Sequence, residues 1–443
     1  EGLEEALALM LPLGIDAEAL KRMGLAGDKL LQVLRWLKGL EMRKGDVLEL
    51  RMGGLTLFAY LEGCTFAVEA LGLSLAGARR MVGTLRASGV SDGDVKGAFL
   101  GMQLVGPPLE ETVGLLGQLG IPLMEASELG LSADLLLLTL RRMVAMDVPR
   151  EVCRALGLQG GAALCEVLRL AEHLGFTGAR LDDLGLRGES LAEAVGHLYL
   201  LAVPHRVWES QVGLTGPQLL EALRIMRSLD VTGAVVAAMA VPSGGDLIET
   251  LRNFASLEID GALYLDWVAI AGPALPETMR NMRWGHFSRQ LVPSLGLRGG
   301  ALVTGVQALR ALGIQADTFR STIRLSGPHL TDCLTALGLC RGDKKMALAT
   351  GLQGAELRTA LRLMVGLQVT AEEFYRDLQL SRGALTRALE IMQWGGYNAP
   401  LVSQLELVGE KLLSALEDLE WLGITADHLE AMVRLRGAQL LST

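Results

Sequence analysis

Apolar residues along the 443-residue chain follow a helical rhythm set by a periodic glycine. Counted from that anchor, they recur at +3, +7, +10 and +13, as Leu219, Leu223, Met226 and Leu229 do after Gly216. This is the stripe of an amphipathic helix of about twelve residues. Position +6 is small (Ala194, Ala222, Ala360, Ala388, Ala415), which lets neighbouring helices approach closely. The stripe stops at a recurring signature, Leu119-Gly120-Ile121, Leu174-Gly175-Phe176, Leu312-Gly313-Ile314 and Leu422-Gly423-Ile424, where glycine can take the left-handed cap conformation. A second helix of roughly eight residues follows, often opened by a capping residue such as Thr425, and leads to the next anchor.

Sixteen anchors can be placed: Gly27, Gly54, Leu75, Gly106, Ala133, Gly161, Gly188, Gly216, Gly244, Gly272, Gly299, Gly327, Gly354, Arg382, Gly409 and Gly437. From Gly106 onward every step is 27 or 28 residues, and a leucine stands at +3 in all sixteen places except Ala78. Pro107, Pro217, Pro273 and Pro328 directly follow anchors. Proline is tolerated in the first turn of a helix and harmful inside one, so these four mark helix starts independently of the glycines. A single hairpin cannot bury its own stripe, whereas a stack of them merges the stripes into one core. The pattern predicts an all-α fold, a right-handed α-solenoid of about sixteen 27–28-residue helix-turn-helix repeats. Within one continuous solenoid, 106–443 is the regular array and 1–105 the irregular part. The steps of 21 and 31 residues around Leu75 imply a lost short helix and a bend near 58–100.

Composition fits this picture. Half of the residues are hydrophobic but only 4% are aromatic, so the apolar content is mostly helix-favouring Leu and Ala. The 50 acidic residues outnumber the 41 basic ones, and a net charge of −9 disfavours a dedicated nucleic-acid binder. Five cysteines without a CxxC pair suit a reducing intracellular compartment, either cytoplasm or an organelle matrix after removal of a leader. The longest apolar run, Val231 to Pro242, is too short for a transmembrane segment, which needs roughly twenty residues.

One feature of the charged residues is periodic. Arginine stands at anchor +8 in Arg35, Arg141, Arg169, Arg224, Arg252, Arg280 and Arg362, a candidate interaction row for phosphates or an acidic partner. Glu166, Glu221, Glu249 and Glu277 precede four of these by three residues, which predicts self-paired i,i+3 neighbours on a solvated helix face. The six histidines are scattered, with no HExxH motif and no metal-ligand spacing, and Cys333 occupies the small +6 position as a buried residue. Gly244-Gly245 and Gly299-Gly300 lack the lysine of a phosphate loop. The tryptophans (Trp36, Trp208, Trp267, Trp284, Trp394, Trp421) fall mostly late in the longer helix, where packing is the expected role. No catalytic residue, cofactor or metal site is expected.

The alternation of short helices with Leu-Gly-Ile turns resembles the repeats of the mitochondrial transcription termination factors, whose helical units form a superhelix that binds nucleic acid. Here the period is shorter, no mid-repeat proline recurs and the chain is acidic, so no residue role is carried across. The expected function is a non-catalytic scaffold that binds other protein subunits within a larger assembly. Leu435, Leu440 and Leu441, just short of Thr443, would lie at an uncapped end and also point to assembly. The alternative is a modular RNA- or DNA-binding repeat protein of the organellar expression type that uses the arginine row.

Overall fold

A computed structural model of the protein describes residues 2–87, 97, 103–122, 126, 129–131, 133–158 and 161–429. These residues are all-α, with no strand among them. The Gly437 anchor and Leu435, Leu440 and Leu441 lie outside the described residues, as does much of the stretch between Ala87 and Gly106. The chain divides into two compact units, Glu1–Leu200 with Thr215–Leu220, and Leu201–Leu214 with Glu221–Thr443.

Long and short helices alternate in the second unit, and in the first outside residues 54–145. In the first, the long helices Gly2–Leu13, Gly27–Gly39, Gly54–Glu69, Leu75–Ala87, Pro107–Gln118, Ala133–Ala145, Gly161–His173 and Gly188–Leu200 each pack on the next. Between Gly54–Glu69 and Leu75–Ala87 the connection is Ala70 to Ser74, without a helix, which accounts for the 21-residue step. In the second unit the same neighbour packing links Gly244–Leu257, Ala274–Trp284, Gly300–Ala311, Gly327–Leu339, Gly354–Gly366, Arg382–Gly395 and Glu410–Trp421. The +3 leucines form the interior: Leu247, Leu275, Leu302, Leu330, Leu357, Leu385 and Leu412 are all fully buried. Burying one such side chain is worth about 1.5–3 kcal/mol, which is why a chain poor in aromatics can still build a core.

Backbone hydrogen bonds tie each hairpin to the one before it. The anchor N–H donates to a carbonyl at the end of the short helix one repeat earlier than the one it follows: Gly188 to Leu156 (2.8 Å), Gly216 to Leu184 (2.7 Å), Gly299 to Val268 (2.9 Å) and Gly409 to Leu378 (3.0 Å). A second set joins the start of a short helix to the end of the long helix of the hairpin before, as Gly233 to Leu201 (2.7 Å), Gly261 to Leu229 (2.9 Å) and Ala399 to Leu367 (3.0 Å). The first set explains the glycine. Turning the chain into the next helix while aiming N–H backward requires φ 57° and ψ −131° at Gly299, a region open almost only to glycine. Gly244 serves differently: the N-cap there is Ser243, and a Cβ on Gly244 would stand 2.6 Å from the Val212 carbonyl oxygen.

The second unit carries a feature with twice the sequence period. Among the described residues four short helices end in a full π-helical turn, Trp208–Val212, Tyr264–Val268, Phe319–Ile323 and Phe374–Leu378, each opening on a buried aromatic, and Leu429 begins another. The short helices between them, Gly233–Met239, Val292–Leu295 and Lys344–Ala349, have Val236, Val292 and Ala347 at that place. Two of the rings anchor the turn: Tyr264 Oη donates to the Ile270 carbonyl (2.7 Å) and Trp208 Nε1 to that of Leu214 (3.1 Å).

No single helix among the described residues is long and apolar enough to cross a membrane. The most apolar pair, Gly233–Met239 and Gly244–Leu257, is bent by 111°, and its Val235, Val236, Leu247, Leu251 and Phe254 are buried within the second unit.

Candidate interaction face

The exposed side of the long helices holds the residues singled out by the sequence. Arg35, Arg141, Arg169, Arg252, Arg280 and Arg362 are solvent-exposed, each with a carboxylate partner. Arg224, on Gly216–Ser228, is engaged too. The partners differ from the expected ones. Arg252 takes Glu221 (Nε to Oε1, 2.8 Å) and Arg280 takes Glu249 (3.0 Å), both one long helix back, in place of the intrahelical pairs Glu249–Arg252 and Glu277–Arg280. The same geometry joins Arg35 to Glu5 (2.6 Å), Arg141 to Glu111 (2.6 Å) and Arg362 to Asp332 (3.9 Å).

The rule is positional. An arginine at +8 reaches an acid at +5 of the preceding helix, because helices packed side by side bring those two places together. The intrahelical pair made by Arg169 shows why. Behind Arg169, the preceding helix has Leu138 at +5, and the guanidinium turns to Glu166 of its own helix (2.8 and 2.6 Å). The row thus stitches neighbouring helices together more than it displays free charge.

Hydrogen bonds from the guanidiniums hold the Glu111, Glu166 and Glu221 carboxyls below the usual carboxylate range, and they raise Arg141, Arg169 and Arg252. A carboxyl depressed in the folded state contributes stability above its unfolded pKa, and that contribution is lost as pH falls through the lower folded value. Replacing Arg252 with glutamine should return the Glu221 titration, followed by carboxyl NMR, to the ordinary glutamate range. It should leave thermal stability near neutral pH almost unchanged, since exposed pairs contribute little. A Glu221 titration unaltered by the substitution would mean that the pair does not form in solution.

Large apolar side chains line the same face one helical turn on. Trp284, Leu339, Trp394 and Trp421 stand at +12 and are exposed, the last at 87%. The packing role expected from the sequence holds for Trp208, which is buried, but not for these three tryptophans, nor for Trp267. On the short-helix side, Leu265, Leu348 and Tyr375 share one register position and are also exposed. Cys64, Cys153, Cys165, Cys333 and Cys340 are buried free thiols. Burial pushes Cys333 up to about 12 and Cys153 and Cys340 up to about 11. Among the described residues no group of three or more His, Cys, Asp or Glu side chains is placed to hold a metal.

No known protein family matches the chain. No curated protein matches it in sequence either.

Proposed function

We propose that the chain is a non-catalytic helical scaffold that holds other protein subunits, each unit being a right-handed α-solenoid of the 27–28-residue hairpins. The observation that carries this reading is the row Trp284, Leu339 and Trp394, one side chain in every second hairpin of the second unit. Large apolar residues that recur at one register on an exposed face are characteristic of interaction surfaces, and binding energy concentrates on Trp, Tyr and Arg. Of the +8 arginines Arg280 lies one turn from a member of this row, Trp284, and it already has a carboxylate partner in Glu249, which suits the rim of a protein interface better than a track for phosphates.

Native mass spectrometry of the endogenous protein should find it in a complex with other polypeptides. The double substitution Leu339→Ser, Trp394→Ser should release them while the helical signal and melting temperature stay near those of the parent. A monodisperse monomer with no co-purifying protein would overturn the proposal, as would a complex indifferent to both substitutions.

A further inference from the structure

In the second unit, beside Gly244–Leu257 and Ala274–Trp284, an open cleft of about 970 Å³ is lined by Arg252, Asn253, Arg280, Arg283, Trp284 and His286, among others. A second cleft of about 590 Å³ shares Arg280 and is bordered by Asn281, Gln307, Arg310 and Glu277. Two of these arginines stand at +11, outside the pairing rule. Arg283 donates through Nη1 to Asn253 Oδ1 (3.4 Å), and Arg310 donates to Asn281 Oδ1. Both asparagines are buried. An amide oxygen orients a guanidinium without cancelling its charge. Arg252 and Arg280 are matched by Glu221 and Glu249, whereas Arg283 and Arg310 have no ion pair among the described residues.

The two clefts together therefore set four guanidiniums against the carboxylates of Glu249 and Glu277, with Glu221 on Arg252 behind them, beside the His286 imidazole: an electropositive place on an acidic chain. One further observation points to a ligand. Trp284 is exposed at the cleft and carries the Arg310 guanidinium over its ring, 5.9 Å from the centroid. A fork of N–H donors matches the oxygens of a phosphate, and a flat indole beside it offers a stacking surface for a planar base.

We infer that the two clefts, joined where Arg310 lies over Trp284, bind a nucleoside phosphate, with the phosphate on Arg283 of the first and Arg310 of the second and the base against Trp284. The chemistry is the same for a free mononucleotide and for one nucleotide of a single strand, and it goes beyond the scaffold reading, whose test does not involve this ligand.

Calorimetric titration of the full chain with adenosine monophosphate should show binding, with inorganic phosphate and adenosine each about tenfold weaker or worse. The double variant Arg283→Gln, Arg310→Gln should lose about tenfold or more for the nucleotide. Trp284→Leu should lose about tenfold for the nucleotide and nothing for phosphate. Arg141→Gln in the first unit should change neither, and an unchanged melting temperature certifies that each variant is folded. A single-stranded oligothymidylate of about ten nucleotides identifies the source. Tighter, steeply salt-dependent binding of the oligomer means a strand, and affinity no better than the mononucleotide's means a free nucleotide. Failure of both probes at millimolar concentration, or binding undiminished in the double arginine variant, would overturn the assignment. Phosphate binding as tight as the mononucleotide's would overturn its base-stacking half.

Discussion

Replacing Leu330 with alanine is expected to cost about 2–5 kcal/mol of folding free energy, the range for removing most of a buried leucine and leaving a cavity behind. Leu330 stands at +3 in the helix Gly327–Leu339 and is fully buried. The neighbouring long helices Gly300–Ala311 and Gly354–Gly366 pack on that helix from either side. The lost methyl groups would therefore be missed by both, and helices held by backbone ladders cannot close freely over the gap. The same substitution at Leu339, nine residues on in the same helix but 65% exposed, should cost almost nothing. The two variants share helix, residue type and chemistry, so the difference between their urea midpoints isolates burial. Equal midpoints would show that the glycine-phased leucines do not face a common interior, and the fold reading would fall with them.

How much of this was legible depends on whether a feature repeats at the period being read. The long helices were, since Gly299 and Gly327 each begin a stretch whose leucine three places on is buried, and since Pro107 and Pro328 lie in first turns. The arginine partners were not. Sequence offers Arg252 a glutamate three residues away, and only the helix packing shows that Glu221, thirty-one residues back, is better placed. Arg169 follows the sequence-based expectation because Leu138 removes the competitor. The π-helical turns were missed for a different reason: Trp208, Tyr264, Phe319 and Phe374 recur in every second hairpin, so comparing each hairpin with the next hides them. Comparing alternate hairpins would have found them, and with them the exposed Trp284, Leu339 and Trp394. The cleft left no periodic trace at all. It rests on Asn253 and Asn281, two polar residues that occur at one register in only two consecutive hairpins, each reached by an arginine of the following helix.

The glycine that ends the short helix Val292–Leu295 supplies the second large expected effect. Gly296 caps that helix with φ 62° and ψ 22°, and a Cβ built on it would lie 2.8 Å from the Gly327 amide nitrogen and 3.1 Å from Ser326 Cβ. Two costs add in Gly296→Val. A β-branched residue is forced into the left-handed region, about 1–2 kcal/mol or more. The added volume meets backbone rather than a flexible side-chain tip, about 1–3 kcal/mol. The conformation alone is survivable, since Ala269 and Arg324 hold φ 47° at helix caps elsewhere in the unit. The close approach to Gly327 is what makes Gly296 different, so the variant should also push apart the start of Gly327–Leu339 and weaken protection of its first amides against hydrogen exchange. Gly338→Ala is the opposing control. That glycine lies within the last turn of the same long helix, and a methyl group added there would meet nothing within 4 Å, so alanine should stabilise by about 0.5–1 kcal/mol. If Gly296→Val cost less than the control gains, the hairpins would be free to slide past one another, and the contact between Gly296 and Gly327 would not set their spacing.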